Sequence, residues 1–410
     1  GDAGAVTRTV ENKLQESVSI SDFGGSFPLA ITAIGAAETT LYIDSTPTAL
    51  SANATIPANV TLVWSRGAIL QTSGNVFTVN GGLEAGKYQL FNTSVTTTHP
   101  SAWEVKGDVE TENVYIEWFG ATGDDTEQGV PIQEAVEFAT NAGSSAGQTV
   151  YISAGDYQVD PTTDEIHVNG NVTIKCEIGA NIKCVDTDST YDGIIKIAGY
   201  QNVTIDGGNF VGDVDTHAAG ASETGHCLYI GGASTSNITI KNAKFSKGWG
   251  DGIYVRDADV VRIQNCAVFD NRRNNISITG TISGLWIEDC EIYDGGQTSG
   301  TNPKAGIDLE PNATEAAHKI FVQGNHIYNN VGAGVSVTEK AASAELDHVI
   351  IDGNHFHDNG QGIKLNSCDN LSITGNRIDD SIYSTTGTSS HDKIENLVIS
   401  GNVVDGIDIE

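Results

Sequence analysis

Methionine is absent from the 410 residues, so residue 1 is not a translation start and the chain is expected to be a fragment of a longer one. Basic residues are scarce: 21 Lys and Arg stand against 53 Asp and Glu, a formal charge of −32. A field of that sign repels nucleic-acid phosphates and anionic lipid, which argues against a nucleic-acid or membrane-surface role. No run approaches the roughly 18 apolar residues of a membrane span. The six cysteines, Cys176, Cys184, Cys227, Cys266, Cys290 and Cys368, show no CxxC spacing and no histidine cluster of zinc type. They read as buried free thiols, no metal ligands are assigned, and no cofactor is expected. Proline numbers only 8 against 47 glycines, while Val, Ile and Thr recur in short alternating runs. With 39% apolar residues the chain is too hydrophobic for disorder, and the alternation makes it β-rich.

From about residue 171 one phrase returns, an alternating strand followed by two linking residues and a small polar one. Its fixed position falls on Ala243 (ITIKNA), Cys266 (VRIQNC), Cys290 (LWIEDC), Asn325 (IFVQGN), Asn354 (VIIDGN), Asn376 (LSITGN) and Asn402 (LVISGN), at intervals of 23, 24, 35, 29, 22 and 26 residues. A drifting period of this size, with no helix between strands, predicts a solenoid of one coil per repeat. Parallel crossovers are right-handed, so the coil is expected to be a right-handed parallel β-helix. Stacked coils then place Asn325, Asn354, Asn376 and Asn402 in an internal amide ladder, with Cys266 and Cys290 extending it. The N-x-S/T sequons at Asn171, Asn202, Asn237, Asn275 and Asn370 belong to the strand-start phrase and carry no glycosylation weight.

Ahead of the solenoid, Ile132, Ala135, Val136 and Ala139 follow helical spacing behind Pro131, which predicts a short helix over about 131–142 that caps the first coil. Residues 24–114 alternate as β-strands without the later period, and residues 5–19 read as an extended or helical neck. The expected organisation is a neck over 1–23, a small β-rich domain over 24–114, and a β-helix over 115–410.

The neck phrase VTRTVENKLQESVSISDFGG, the phrase NGGLEAGKYQLF, and EWFGATGDDTEQGVPIQEAVEFAT followed by VYISAGDYQV are similar to bacteriophage tailspikes of the pectate-lyase-like superfamily. The resemblance implies a right-handed β-helix, a homotrimer, a bacterial surface polysaccharide as partner, and a place on a virion tail or outside the cell. It carries no catalytic motif residue by residue. The end at residues 406–410, GIDIE, falls in mid-coil with no C-terminal cap or trimerisation module, so the β-helix is expected to be truncated there.

A second strand opens each coil: HCLYIG, DGIYVR, NNISIT, AGIDLE, AGVSVT and QGIKLN. Period two buries Leu228, Ile253, Ile276, Ile307, Val335 and Ile363 and turns two columns outward. One runs Tyr229, Tyr254, Ser277, Asp308, Ser336, Lys364, and the other Gly231, Arg256, Thr279, Glu310, Thr338, Asn366. Asp308 and Glu310 share a face with Cα atoms ~6.5–7 Å apart, inside the ~6.5–9.5 Å that inverting glycosidases need between carboxyls. Long insertions flank them.

These residues set the expectation of glycoside hydrolysis. Asp308 and Glu310 are the acid/base pair, Arg256 and Lys364 position substrate, Tyr229, Tyr254 and Trp249 offer stacking surfaces, and Arg273 and His226 line the groove. Arg256–Glu310 also fits a plain surface ion pair, and His226, Asp213, Asp215, His217 and Glu223 a plain solvent loop, a groove extension or a Ca²⁺ loop. One rival is a polysaccharide lyase, with Arg, Lys or Tyr as base and acid. The other is a non-catalytic glycan-binding adhesin or structural spike. In the solenoid's other strand the outward column Arg262, Trp286, Phe321, Ile350, Ser372, Val398 is largely apolar, which predicts burial against another chain or a covering loop.

Overall fold

The computed structural model describes residues 17–98, 102–109, 111–141, 148–218, 220, 222–297, 301–384 and 394–409. They fall into two compact units, one ending at Thr122 and including Val130–Ile152, the other made of Gly123–Gly129 and everything from Ser153 onward. Most of the proposed neck lies outside the described residues; Ser17–Ser19 of it is a strand.

The larger unit is a parallel β-helix of three ladders. The first ladder stacks Ile195, Leu228, Ile253, Ile276, Ile307, Val335, Ile363 and Ile382 in continuous register. Each of these side chains is buried, a gain of about 1.5–3 kcal/mol apiece relative to exposure. The second ladder stacks Val203, Ile238, Val261, Leu285, Ile320, Val349 and Leu371. The strands His226–Lys241, Ile253–Gln264 and Ile276–Glu288 run through both ladders. A third ladder of short strands stacks Ile182, Phe210, Phe245, Val268, Ile292, Ile327, Phe356 and Ile378 inside.

The turn from the second to the third ladder explains the recurring phrase. Its first residue is left-handed in coil after coil: Asn242, Asn265, Asp289, Gly324, Gly353, Gly375 and Gly401 all have φ between 51° and 66°. Only Gly, Asn and Asp take that conformation readily, hence the N, D or G before each fixed position. The fixed residue then points inward. Asn325 Nδ2 donates to Asn354 Oδ1 at 2.9 Å, Asn354 Nδ2 to Asn376 Oδ1 at 3.0 Å, and Asn376 Nδ2 to Asn402 Oδ1 at 2.9 Å. Cys290 N donates to Asn325 Oδ1 at 2.9 Å, and Cys266 N to Cys290 Sγ at 3.5 Å, so the column continues through the thiols as expected. All six cysteines are free, and all but the half-buried Cys176 are buried. The sequon asparagines Asn171, Asn202, Asn237 and Asn370 are also left-handed, and Asn237 Nδ2 donates to Asn202 Oδ1 at 2.7 Å in an outer ladder of their own.

A second internal ladder went unread in the sequence. Asn275 donates to Asn330, Asn330 to Asn359, and Asn359 to Asp380, at 2.9, 2.8 and 2.9 Å. Its signal is present in the dipeptides Asn329-Asn330 and Asp358-Asn359, where a left-handed residue again precedes the inward one.

The smaller unit corrects two expectations. Its strands are also parallel and periodic: Leu41 pairs with Leu62 and Leu62 with Leu83, while Ala54 pairs with Phe77 and Phe77 with Val105. The short strands, some of two residues, hid this repeat behind turn segments of varied composition. It also contains a helix, Phe27–Ile34, capped by Ser26, where only strands were read. Phe27, Trp64, Phe77 and Phe91 form its aromatic core, with ring centroids 4.8–6.1 Å apart. The foreseen second helix runs Gly129–Asn141, starting two residues before Pro131, and sets Phe138 on Phe91, Trp118 and Phe119.

On the second ladder of the larger unit the apolar column is in register as read, Arg262 to Trp286, Phe321, Ile350, Ser372 and Val398. Trp286 stacks on Phe321 at 5.4 Å, and the Arg262 guanidinium lies 4.5 Å over the Trp286 ring.

Candidate active site

The outward column of the first ladder keeps its predicted order: Lys196, Tyr229, Tyr254, Ser277, Asp308, Ser336, Lys364 and Tyr383 are successive register partners. It does not lie open along its length. A cleft of about 310 Å³ covers its first coils, lined by Asp192, Glu223, His226, Tyr229, Tyr254, Arg256 and Arg273 among others. Further along, Ser277, Thr279, Asp308 and Ser336 are buried, contrary to the solvent-facing expectation. Asn274, itself fully buried in the turn before the Ser277 strand, donates through Nδ2 to Ser277 Oγ at 2.9 Å and to Asp308 Oδ2 at 3.4 Å.

Within the cleft the aromatic groups are stacked. The His226 ring lies 4.5 Å from Tyr254 at 8°, and Tyr229 lies 5.6 Å from Tyr254 at 27°. Asp251 N donates to His226 Nδ1 at 2.9 Å, which leaves the ring proton on Nε2. Burial lowers the His226 pKa below the usual imidazole value, so the ring is neutral. Thr279 Oγ1 donates to the Tyr254 hydroxyl at 2.9 Å, and burial raises the pKa of that phenol.

The cations are partnered. Arg273 Nη1 holds the buried Asp251 carboxylate at 3.1 Å, and Arg273 Nη2 reaches Glu223 at 3.3 Å. Arg256, 48% exposed, pairs with Asp257 at 3.3 Å and Glu315 at 3.4 Å rather than with Glu310. The Glu310 partner is Lys340 at 2.9 Å, on the next coil. Lys364 lies two register steps past Asp308 and does not line the cleft.

Asp308 is the most perturbed group of the column. It is 2% exposed, and its Oδ1 has no hydrogen-bond partner. Burial, then the neighbouring charges of Glu310 and Asp251, push its pKa up to about 8, against the opposing effects of Ser336 and Arg273. At neutral pH it is a carboxylic acid with a proton to give, beside an ion-paired carboxylate.

Two residues leave the expected role. Trp249 is 4% exposed, with His217 stacked on it at 4.0 Å and the Arg272 guanidinium 3.9 Å from its ring centroid, so it has no face to offer a sugar. Arg272 is spent on the carbonyls of Trp249, Gly220 and Ser222. Asp213 is likewise occupied, by the Tyr191 hydroxyl at 2.9 Å and His217 Nδ1 at 2.8 Å. Sequence reasoning missed Asp251, Asn274 and Lys340, which sit at turns where no strand pattern marks them; the Gly252 after Asp251 was the one available signal.

Residues 164–348 and, overlapping them, 226–404 match the family described as Right handed beta helix region, more than half of the chain. The chain belongs to this family. Among relatives of this β-helix, the uncharacterized protein YclG of Bacillus subtilis (strain 168) is 30% identical over 248 residues, 53% of this chain and 41% of YclG. Mannuronan C5-epimerase AlgE3 of Azotobacter vinelandii is 24% identical over 299 residues, 66% of this chain and 15% of that protein. The match therefore spans less than half the length of either relative. The A-module of Azotobacter vinelandii mannuronan C-5 epimerase AlgE4 shares the fold with a TM-score of 0.56 at 19% identity, over 71% of this chain and 88% of that one.

Proposed function

We propose that this β-helix is a polysaccharide-processing enzyme that binds glycan in the Tyr229–Tyr254–Arg256 cleft at the first coils of the first ladder. The reaction is glycoside hydrolysis, with Asp308 donating its proton to the departing glycosidic oxygen and Glu310 drawing a proton from the attacking water. The observation that carries the reading is Asp308, a buried acid with a pKa pushed up to about 8 and an unpartnered oxygen, two residues from a carboxylate paired with Lys340. Stacked tyrosines beside arginines supply the mixed apolar and hydrogen-bonding surface that sugar rings require. By the phage-tailspike resemblance of its neck and capping segments, the substrate is a bacterial surface polysaccharide and the setting is a virion tail or the cell exterior. The protein assembles as a homotrimer through the Trp286–Phe321–Ile350 stripe.

A second reading is favoured by the cleft itself. Tyr254 and Arg256 face it together with Arg273, and two relatives are named for mannuronan C5-epimerisation, which suits attack on a uronate by β-elimination or proton exchange at C5. Incubation with capsular and uronate polysaccharides, followed by mass spectrometry and by proton NMR of the uronate C5 configuration, separates the cases. Hydrolysis adds one water per cut, elimination adds none and leaves an ultraviolet-absorbing unsaturated end, and epimerisation changes neither mass nor length. Binding with no product of any kind would leave an adhesin and overturn both readings.

A further inference from the structure

The third ladder carries a group of imidazoles that the cleft does not use. His326 and His355 are register partners on neighbouring coils, and His357 stands two residues beyond His355, so period two puts all three on the outer face. Their rings lie close: His326 to His355 at 5.1 Å, His326 to His357 at 4.9 Å and His355 to His357 at 5.0 Å between centroids. Nε2 of His326 and Nε2 of His357 are 2.8 Å apart, and one nitrogen from each of the three rings lies within 4.8 Å of the other two. All three side chains are half-buried. Read along the chain, histidines 29 residues apart show no zinc spacing; the coil brings them together.

Two of the three rings are oriented by carboxylates. His357 Nδ1 lies 2.8 Å from Asp358 Oδ2, which places a proton on Nδ1 and leaves the Nε2 lone pair facing His326. His355 Nε2 lies 3.3 Å from Asp379 Oδ2, and that carboxylate is held by Arg377 through contacts of 3.0 and 2.9 Å. A carboxylate on the far nitrogen of a histidine is the arrangement that fixes tautomer and aim in metal sites. Without an ion, the 2.8 Å contact is a hydrogen bond from His326 Nε2–H to the His357 Nε2 lone pair, and a metal would replace that one proton.

We infer that His326, His355 and His357 bind one divalent transition-metal ion of the zinc, nickel or copper class, which ties neighbouring coils of the third ladder. Imidazole nitrogen suits those ions and not Mg²⁺ or Ca²⁺. With metal–nitrogen distances of about 2.0–2.1 Å, tetrahedral ligands stand about 3.3 Å apart. The 2.8 Å pair therefore opens by about 0.5 Å and the wider pairs close by no more than about 1.5 Å, within reach of side-chain rotation. Three imidazoles leave a fourth position for water.

The test uses the whole chain, stripped with chelator and titrated calorimetrically with ZnCl₂. One ion per chain is expected, together with a melting temperature that rises with zinc. His326→Gln and His357→Gln should each weaken binding by about 100-fold or more, and Asp379→Asn, which only orients His355, by about 10–100-fold. His318→Gln, in the separate His318–Glu345–Asp347 group, should leave affinity unchanged. Circular dichroism of the metal-free variants checks that each is folded. Co²⁺ loaded into the parent gives a readout free of any variant: intense visible bands of a four-coordinate nitrogen site are expected. A pale octahedral spectrum, no zinc uptake by the parent, or uptake that survives both histidine substitutions would overturn the inference.

Discussion

Asp308 and Glu310 stand two residues apart on one strand edge in opposite electrostatic settings, Asp308 buried with an unpartnered oxygen and Glu310 paired with Lys340 at 2.9 Å. If they are the acid and its partner, Asp308→Asn and Glu310→Gln should each cut turnover by about 100-fold or more while glycan binding persists. Full activity in both, with loss in Tyr254→Phe, would move the chemistry into the cleft and favour attack on a uronate.

The pH dependence follows from the same shift. A proton donor with a pKa pushed up to about 8 makes turnover fall as pH rises through that value, and the alkaline limb should vanish in Asp308→Asn along with most of the rate. The stability sign is worked out from linkage: the folded state holds this proton more tightly than the unfolded state, so Asp308 costs stability progressively between about pH 4 and pH 8. Asp308→Asn should therefore melt with the parent near pH 4, above it at pH 7, and by a constant margin beyond pH 8. A margin that shrinks with rising pH would contradict the buried-acid assignment.

The internal ladders make a stability prediction independent of function. Asn354 donates to Asn376 Oδ1 at 3.0 Å and to the Val322 carbonyl at 2.8 Å, and its Oδ1 accepts from both the amide and the side chain of Asn325. Asn354→Leu strands those groups in the core and should destabilise by roughly 1–3 kcal/mol. Asn359→Leu, in the second ladder, should cost a similar amount. Chemical denaturation showing no loss in either variant would mean that the ladders are not held by their amides.

Legibility in the sequence tracked how locally each constraint acts. The amide ladder and the registers of the first two ladders were readable because an alternating strand and a small inward residue, asparagine in the last four coils, recur at fixed places. The same coil-by-coil logic ordered the first-ladder column down to Lys364. What failed depended on side chains arriving from elsewhere: Asp308 is buried and meets Asn274 from another coil, and Trp249 is lost as a stacking surface to Arg272 and His217. Alternation says which way a residue points, not what covers it. The repeat in the smaller unit escaped because its strands are two to five residues long, too short for period two to stand out.

Cleft substitutions separate substrate contact from architecture. Arg256→Ala and Tyr254→Ala remove an exposed cation and the middle ring of the His226–Tyr254–Tyr229 stack. Each should weaken glycan binding by about tenfold, or about 1.4 kcal/mol. Trp249→Leu should instead lower the melting temperature and leave the affinity of the folded fraction unchanged, since its ring is enclosed by His217 and Arg272. Calorimetry on a bound oligosaccharide checks both, and an affinity loss confined to Trp249→Leu would reverse the assignment.

The apolar column of the second ladder bears on assembly. Trp286, Phe321 and Ile350 are half-buried and Val398 is exposed, in one uninterrupted register. A contiguous stripe of that kind is unusual on a lone chain, and one repeated surface facing its own copies satisfies cyclic symmetry. Sedimentation should give a species of three chains at micromolar concentration. Phe321→Asp and Ile350→Asp, which place carboxylates in the middle of the stripe, should shift it to one chain without unfolding the coils, because the inward Ile320, Val322, Val349 and Ile351 are untouched. A parent that sediments as a single chain, with Trp286 fluorescence as readily quenched as that of an exposed indole, would refute the trimer.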